Sequence, residues 1–178
     1  MNRKLANEEL GRPSIEEYKS SDKNPIVVIL DNIRSLNNVG SVFRTSDAFA
    51  IESIALCGIT AQPPHREINK TALGATESVE WNYFDNTLSA IAEFKAKGFK
   101  VYAIEQAEGS IALHEFSLQK GGKVAIIMGH EVNGVSQEAI DESDGVIEIP
   151  QDGTKHSLNI SVSTGVVLWD LTSKLKRL

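Results

Sequence analysis

Short apolar runs alternate with segments of helical period along most of this chain. Ile26–Leu30 is continuous and apolar and ends at Asp31, the pattern of a strand buried on both faces. Val39, Val42, Phe43 and Ala50 then recur at helical spacing, and Ser53–Cys57 is again strand-like, stopping at Gly58. After a loop at Pro63-Pro64, Lys70–Ala75 is predicted to form one helical turn. Asp85 or Asn86 caps a predicted helix with Leu88, Ile91 and Ala92 on one face. Lys95 and Lys97 sit in its last turn and Gly98 lies just beyond, as the helix dipole and a left-handed cap favour. Lys100–Ile104, Val124–Met128 and Val146–Ile149 read as three more strands. Ser136 begins a short helix, and a long one runs over Ser157–Leu175 with Ser157 as its N-cap. Strands alternating with helices predict an α/β fold, a mostly parallel sheet with helices on both faces. Residues 1–24 are polar and form an N-terminal arm or short helix, which leaves 25–178 as a single domain.

Composition narrows the class. With 178 residues, 41% of them hydrophobic and 24% charged, the chain suits one globular domain with a real core. No stretch approaches the roughly 20 apolar residues that span a bilayer, and Met1-Asn2-Arg3-Lys4-Leu5 opens no signal peptide. A single cysteine, Cys57, excludes a disulfide framework and a cysteine-rich zinc site. His65, His114, His130 and His156 show no metal-ligand spacing, so no metal is expected. The expectation is a cytoplasmic protein without membrane contact. A net charge of −6 leaves only local basic clusters for nucleic acid: Arg3, Lys4 and Arg12 at the start, Lys174, Lys176 and Arg177 at the end.

In open parallel sheets, ligands bind in the loops that follow the carboxyl ends of strands. Three such loops carry more glycine and polar residues than connection requires. The first holds Asp31, Asn32, Arg34, Asn37, Asn38 and Gly40, with Arg44 in the following helix. Taken alone, Asn38 could simply cap that helix and Arg44 could be a solvated charge. The second is Gly129-His130-Glu131-Val132-Asn133-Gly134, whose glycines allow backbone to approach a ligand closely. The third runs from Pro150 through His156 into Ser157-Leu158-Asn159. There is no GxGxxG turn and no Gly-Lys-Ser/Thr phosphate loop, so the dinucleotide and P-loop readings lack their fingerprints. Asp152, His156 and Ser157 hold the letters of a hydrolytic triad, but no Gly-x-Ser-x-Gly elbow accompanies them.

Together the three segments resemble the signature motifs of the SpoU/TrmH family of knotted RNA methyltransferases. Asn38-Val39-Gly40-Ser41-Val42-Phe43-Arg44-Thr45 is similar to the family's Asn-x-Gly-x-x-x-Arg-Thr. Ile126–Gly134 is similar to its apolar strand followed by Gly-x-Glu-x-x-Gly. Ile149-Pro150 with Ser157-Leu158-Asn159-Ile160-Ser161-Val162 is similar to its Ile-Pro and Ser-Leu-Asn-Val-Ser-Val. Lys70–Ala75 looks like a Gly-Ala element between the first two, and the resemblance covers roughly residues 25–175. His130, where Ser or Asn is common, Asn37, and Ser163-Thr164 depart from the pattern without removing a motif polar group.

The resemblance implies a C-terminal deep trefoil knot and transfer of a methyl group from S-adenosylmethionine to a ribose 2′-hydroxyl of tRNA or rRNA. It implies a homodimer, and Leu158, Val162, Trp169, Leu171 and Leu175 put apolar groups on more than one face of the long helix. It assigns catalysis to Arg44, Asn38, Glu131, Ser157 and Asn159. It gives cofactor binding to Met128, Gly129, Gly134, Ile149, Ser157 and Leu158. Arg44 is either a base or a clamp for phosphate and oxyanion; a guanidinium with a pKa above about 12 favours the clamp. Two other readings stand beside this one: a non-catalytic RNA-binding module of the same fold, and a knotted enzyme that methylates a base.

Overall fold

The computed structural model describes residues 2–177. A 3-10 turn at Asn7–Leu10 and α1 (Ile15–Ser20) precede β1 (Asn24–Asp31), α2 (Leu36–Ala48) and β2 (Ile51–Cys57). Next come α3 (Arg66–Ala72), α4 (Ala75–Ser78), β3 (Trp81–Phe84), α5 (Thr87–Ala96) and β4 (Phe99–Ile104). The chain ends with β5 (Ile111–Ala112), β6 (Lys123–Met128), α6 (Gln137–Asp141), β7 (Gly145–Glu148) and α7 (Ile160–Leu175). The strands form one seven-stranded sheet in the order β3-β2-β1-β6-β4-β7-β5. Every pairing between them is parallel, so all their carboxyl ends share one edge.

Period-2 alternation divides the core. Ile26, Val28 and Leu30 of β1 point to one face, where Val39, Val42 and Phe43 of α2 and Val167, Leu168 and Leu171 of α7 cover them. Val27 and Ile29 point to the other face, against Ala90, Ile91 and Phe94 of α5 and Ala139 of α6. Fully burying one such side chain contributes roughly 1.5–3 kcal/mol, most of it offset by chain entropy. Gly40 has a packing reason within the first motif. A Cβ there would lie 2.2 Å from the Ile68 carbonyl oxygen and 2.2 Å from Thr71 Oγ1, so only glycine lets α2 approach α3 this closely.

Several local expectations need correction. The sheet gains two strands, β3 and β5, both at its edges and both short. In α5 the buried face is Thr87, Ala90, Ile91 and Phe94, while Leu88 and Ala92 are exposed. Phe94 brings the larger apolar area and Thr87 bonds to buried Asp31, so the helix turns that face inward. Asn86 is the cap of α5, accepting from the Ser89 N–H. Ala50 lies outside α2, in left-handed backbone with φ 44°. The long helix starts at Ile160 rather than Ser157, and Asn159 caps it.

Candidate active site

The site is built from the loops that leave β1, β4, β6 and β7. Asp31 closes β1 and is 2% exposed. Its Oδ1 accepts from Thr87 Oγ1 (2.6 Å) and Asn32 Nδ2 (2.8 Å), and its Oδ2 accepts from the Ser136 N–H (3.0 Å). A buried carboxylate needs such donors to offset lost hydration. The bonds tie the end of β1 to the start of α5 and to the segment that follows β6.

Ser35 caps α2, its Oγ accepting from the Asn38 N–H at 3.3 Å. Asn38 is therefore not the cap, and its side chain is free for other work. Asn38 Nδ2 donates to Glu131 Oε1 at 3.2 Å, and Asn38 Oδ1 accepts from Asn159 Nδ2 at 3.2 Å. Asn159 also caps α7, its Oδ1 accepting from the Ser161 N–H at 2.9 Å and from Ser161 Oγ at 2.6 Å. One polar relay, Glu131–Asn38–Asn159, thus joins the three motifs.

Glu131 receives two further donors. The Arg34 N–H reaches Oε2 at 3.1 Å and the Ser35 N–H reaches Oε1 at 2.8 Å. Partial burial pushes its carboxyl group up. The N–H groups of Arg34, Ser35 and Glu131 itself, with the Asn38 amide, outweigh that push and hold it below the usual 4.5. Glu131 is ionised at neutral pH and fixed as an acceptor.

The loop after β6 closes on itself: the His130 N–H donates to the Gly134 carbonyl oxygen and the Gly134 N–H to that of His130, each at 2.9 Å. His130 Nδ1 accepts from the N–H groups of Val132 (3.0 Å) and Asn133 (3.2 Å), a bracing that Ser or Asn at this position can also give. A Cβ on Gly129 would lie 2.2 Å from Gly134 C and from Val135 N. Gly134 has φ +68°, and a Cβ there would meet Glu105 Oε2 at 2.1 Å. Gly129 is fixed by crowding against main chain, and Gly134 by its left-handed backbone, with the Glu105 carboxylate close against it.

Beside this loop lies a cavity of about 610 Å³, within the range of about 300–1,000 Å³ usual for small-molecule sites. The residues expected to bind cofactor, Met128, Gly129, Gly134, Ile149, Ser157 and Leu158, all line it, and so do Glu131 and Asn159. Ser157 is exposed on the wall and caps no helix. Arg44 is apart from the cavity. It stands exposed on α2, six residues and so about 9 Å of helix rise beyond Asn38. The walls also include Ile104, Glu105, Gln106, Val135 and His156, which no motif singles out as site residues. A signal existed, since Glu105 and Gln106 are polar groups directly after a strand of a parallel sheet.

Residues 25–169 match the sequence pattern of the SpoU rRNA Methylase family. The chain belongs to that family. Among its relatives, a tRNA (guanosine(18)-2'-O)-methyltransferase of Thermus thermophilus is 31% identical over 162 residues, covering 91% of this chain and 81% of that one. The 23S rRNA (guanosine-2'-O-)-methyltransferase RlmB of Haemophilus ducreyi is 27% identical over 174 residues, 97% of this chain and 70% of that one. Among solved SpoU-like structures, the AdoMet-bound rRNA methyltransferase from Sinorhizobium meliloti superimposes with a TM-score of 0.80 at 29% identity. That match covers 86% of this chain but 58% of the solved one, so this SpoU member spans less than two thirds of that protein.

Proposed function

We propose that this chain transfers the methyl group of S-adenosylmethionine to a ribose 2′-hydroxyl of tRNA or rRNA. The single observation that carries the reading is the Glu131–Asn38–Asn159 relay at the edge of the 610 Å³ cavity. The cavity suits the cofactor. Met128, Ile149 and Leu158 offer apolar walls, while the glycine cradle of Gly129 and Gly134 exposes backbone that a side chain would cover. Met128, Gly129, Gly134, Ile149, Ser157 and Leu158 would hold it. Bound there, S-adenosylmethionine supplies an electrophilic methyl group.

The remaining work belongs to the protein. A hydroxyl is a poor nucleophile, and positioning it within about 3 Å of its target can remove several kcal/mol of the barrier. Glu131 and Asn159, fixed through Asn38, orient the ribose and Ser157 adds a hydroxyl at the wall. Arg44 keeps its positive charge, grips the adjoining phosphate and stabilises negative charge developing on the 2′-oxygen. Its exposure on α2 is what reaching an RNA backbone requires.

We assign this work to residues 25–178 as one domain, with 1–24 as an appended arm. The reading includes a C-terminal trefoil knot. It is supported by the insertion of β6 between β1 and β4, with β7 beyond, and by the packing of α7 on α2. It also includes a homodimer, supported by exposed Val162, Val166 and Trp169, spaced as one stripe along α7. A cytoplasmic location accords with these RNA substrates.

The test combines calorimetry with nucleoside analysis. The chain is expected to bind S-adenosylmethionine and to yield 2′-O-methylated nucleosides from tRNA or rRNA on digestion and mass spectrometry. Base-methylated nucleosides would establish the base-modifying alternative instead, and absence of cofactor binding would leave a non-catalytic RNA-binding module.

A further inference from the structure

Two adjacent residues that the relay does not use join the loops of the cavity by a second route. Glu105 and Gln106 leave the carboxyl end of β4 and both line the cavity. Glu105 Oε2 accepts from the Val135 N–H at 3.0 Å, which holds the loop after β6. Glu105 Oε1 accepts from the Gln106 N–H at 2.8 Å, which locks the pair together. Gln106 Nε2 donates to the His156 carbonyl oxygen at 2.6 Å, which holds the loop after β7. Among the described residues, this last bond is the only hydrogen bond that reaches residues 150–158.

The two routes divide the labour. Glu131–Asn38–Asn159 links the loops where the nucleophile is to be oriented. Val135–Glu105–Gln106–His156 links them through the cavity wall alone. A segment as exposed as 151–158, fastened at one point ahead of Asn159, loses its preferred position when that point is removed. Binding must then supply the ordering that the bond supplied beforehand.

We propose that Glu105 and Gln106 are positioning residues that set the spacing of the two cofactor-holding loops, and so govern cofactor affinity rather than the transfer step. The proposal rests on the S-adenosylmethionine reading of the cavity. It makes one demand at each residue: an acceptor at 105 for the Val135 and Gln106 N–H groups, and a donor at 106 facing the His156 carbonyl.

The test compares Gln106→Glu, which puts an acceptor against that carbonyl, with Gln106→Lys, which restores a donor. Gln106 is exposed, so both variants should unfold at the midpoint of the unaltered chain. Gln106→Glu is expected to raise KM for S-adenosylmethionine about tenfold, the weight of one hydrogen bond. Its kcat at saturating cofactor should stay within about twofold, with KM for RNA unchanged, and Gln106→Lys should recover most of the loss. Glu105→Ala, which frees both backbone donors, should show the same split. If the unaltered chain binds cofactor and Gln106→Glu binds it equally well, the clamp is refuted while the cofactor reading survives. Equal loss in Gln106→Glu and Gln106→Lys, or a loss confined to kcat, also refutes it. If the unaltered chain binds no cofactor, both readings fall together.

Discussion

Asn38 and Asn159, 121 residues apart in sequence, meet through one amide hydrogen bond of 3.2 Å. Each amide also serves a second partner, Asn38 the Glu131 carboxylate and Asn159 the first turn of α7. Alanine at the two positions should therefore fail differently. Asn38→Ala should lower kcat on the order of 10²-fold, as small displacements of catalytic groups do, with little change in stability. Asn159→Ala should show a similar loss and also destabilise the fold by about 1 kcal/mol, the cost of a helix cap. Steady-state kinetics with urea unfolding separates the two.

Glu131 predicts a pH signature. Its carboxyl is held below 4.5 in the folded state, so the stability it adds is complete above that value and is lost as pH falls through its folded pKa. Glu131→Gln should be less stable than the unaltered chain at about pH 7, and the gap should close under acid. Asp144, also held low against burial by the Val101 N–H and Lys100, remains in the variant and keeps part of the acid dependence. Urea midpoints measured across the acid range check both statements.

Arg44→Lys keeps the charge and loses the planar fork. If Arg44 clamps phosphate and oxyanion, methyl transfer should fall on the order of 10–100-fold, with the shape of the pH profile preserved. A profile that gains a new ionisation would assign the proton-accepting role to residue 44. Full activity with an unchanged profile would remove Arg44 from the site.

Gly129→Ala places a methyl group 2.2 Å from backbone atoms of Gly134 and Val135. Main chain cannot turn aside as a side chain does. The variant should be less stable by about 1–3 kcal/mol, the usual cost of overpacking. It should also lose at least about tenfold in cofactor affinity, one tenfold being about 1.4 kcal/mol. Calorimetry with S-adenosylmethionine reads the second effect.

Trp169 is 66% exposed, although its ring meets Phe49 edge-on at 6.2 Å. If a second copy covers this stripe of α7, Trp169→Glu should shift the protein to monomer in sedimentation and reduce transfer. A fully active monomer would reject the homodimer.

The pattern along the chain was enough for the parallel sheet because β1, β2 and β6 are largely apolar with most of their positions buried, and β4 alternates with every second position buried. The strands it missed lie at the edges. Trp81–Phe84 is only half-buried, and Ile111–Ala112 is too short to show a period. The relay residues were visible as polar groups in glycine-bearing loops. What they bond to was not visible, because Asn38 finds Glu131 93 residues away and no local rule encodes that. Ser157 and Asn159 are both capping residue types, so the sequence leaves the start of α7 open; Asn159 is the cap, and its amide nitrogen is also held by Asn38. Glu105 and Gln106 stand after a strand but belong to no motif, and their partners are the backbone of loops distant in sequence.

Asp31 lies beneath all of this, with one oxygen committed to Thr87 and the other to Ser136. Injury at the root of α5 is therefore transmitted upward: a substitution there unseats the Asp31 side chain and slackens the span behind Gly134. Variants that impair methylation should turn up on a helix that does not line the cavity, and a survey confined to the pocket lining would overlook them.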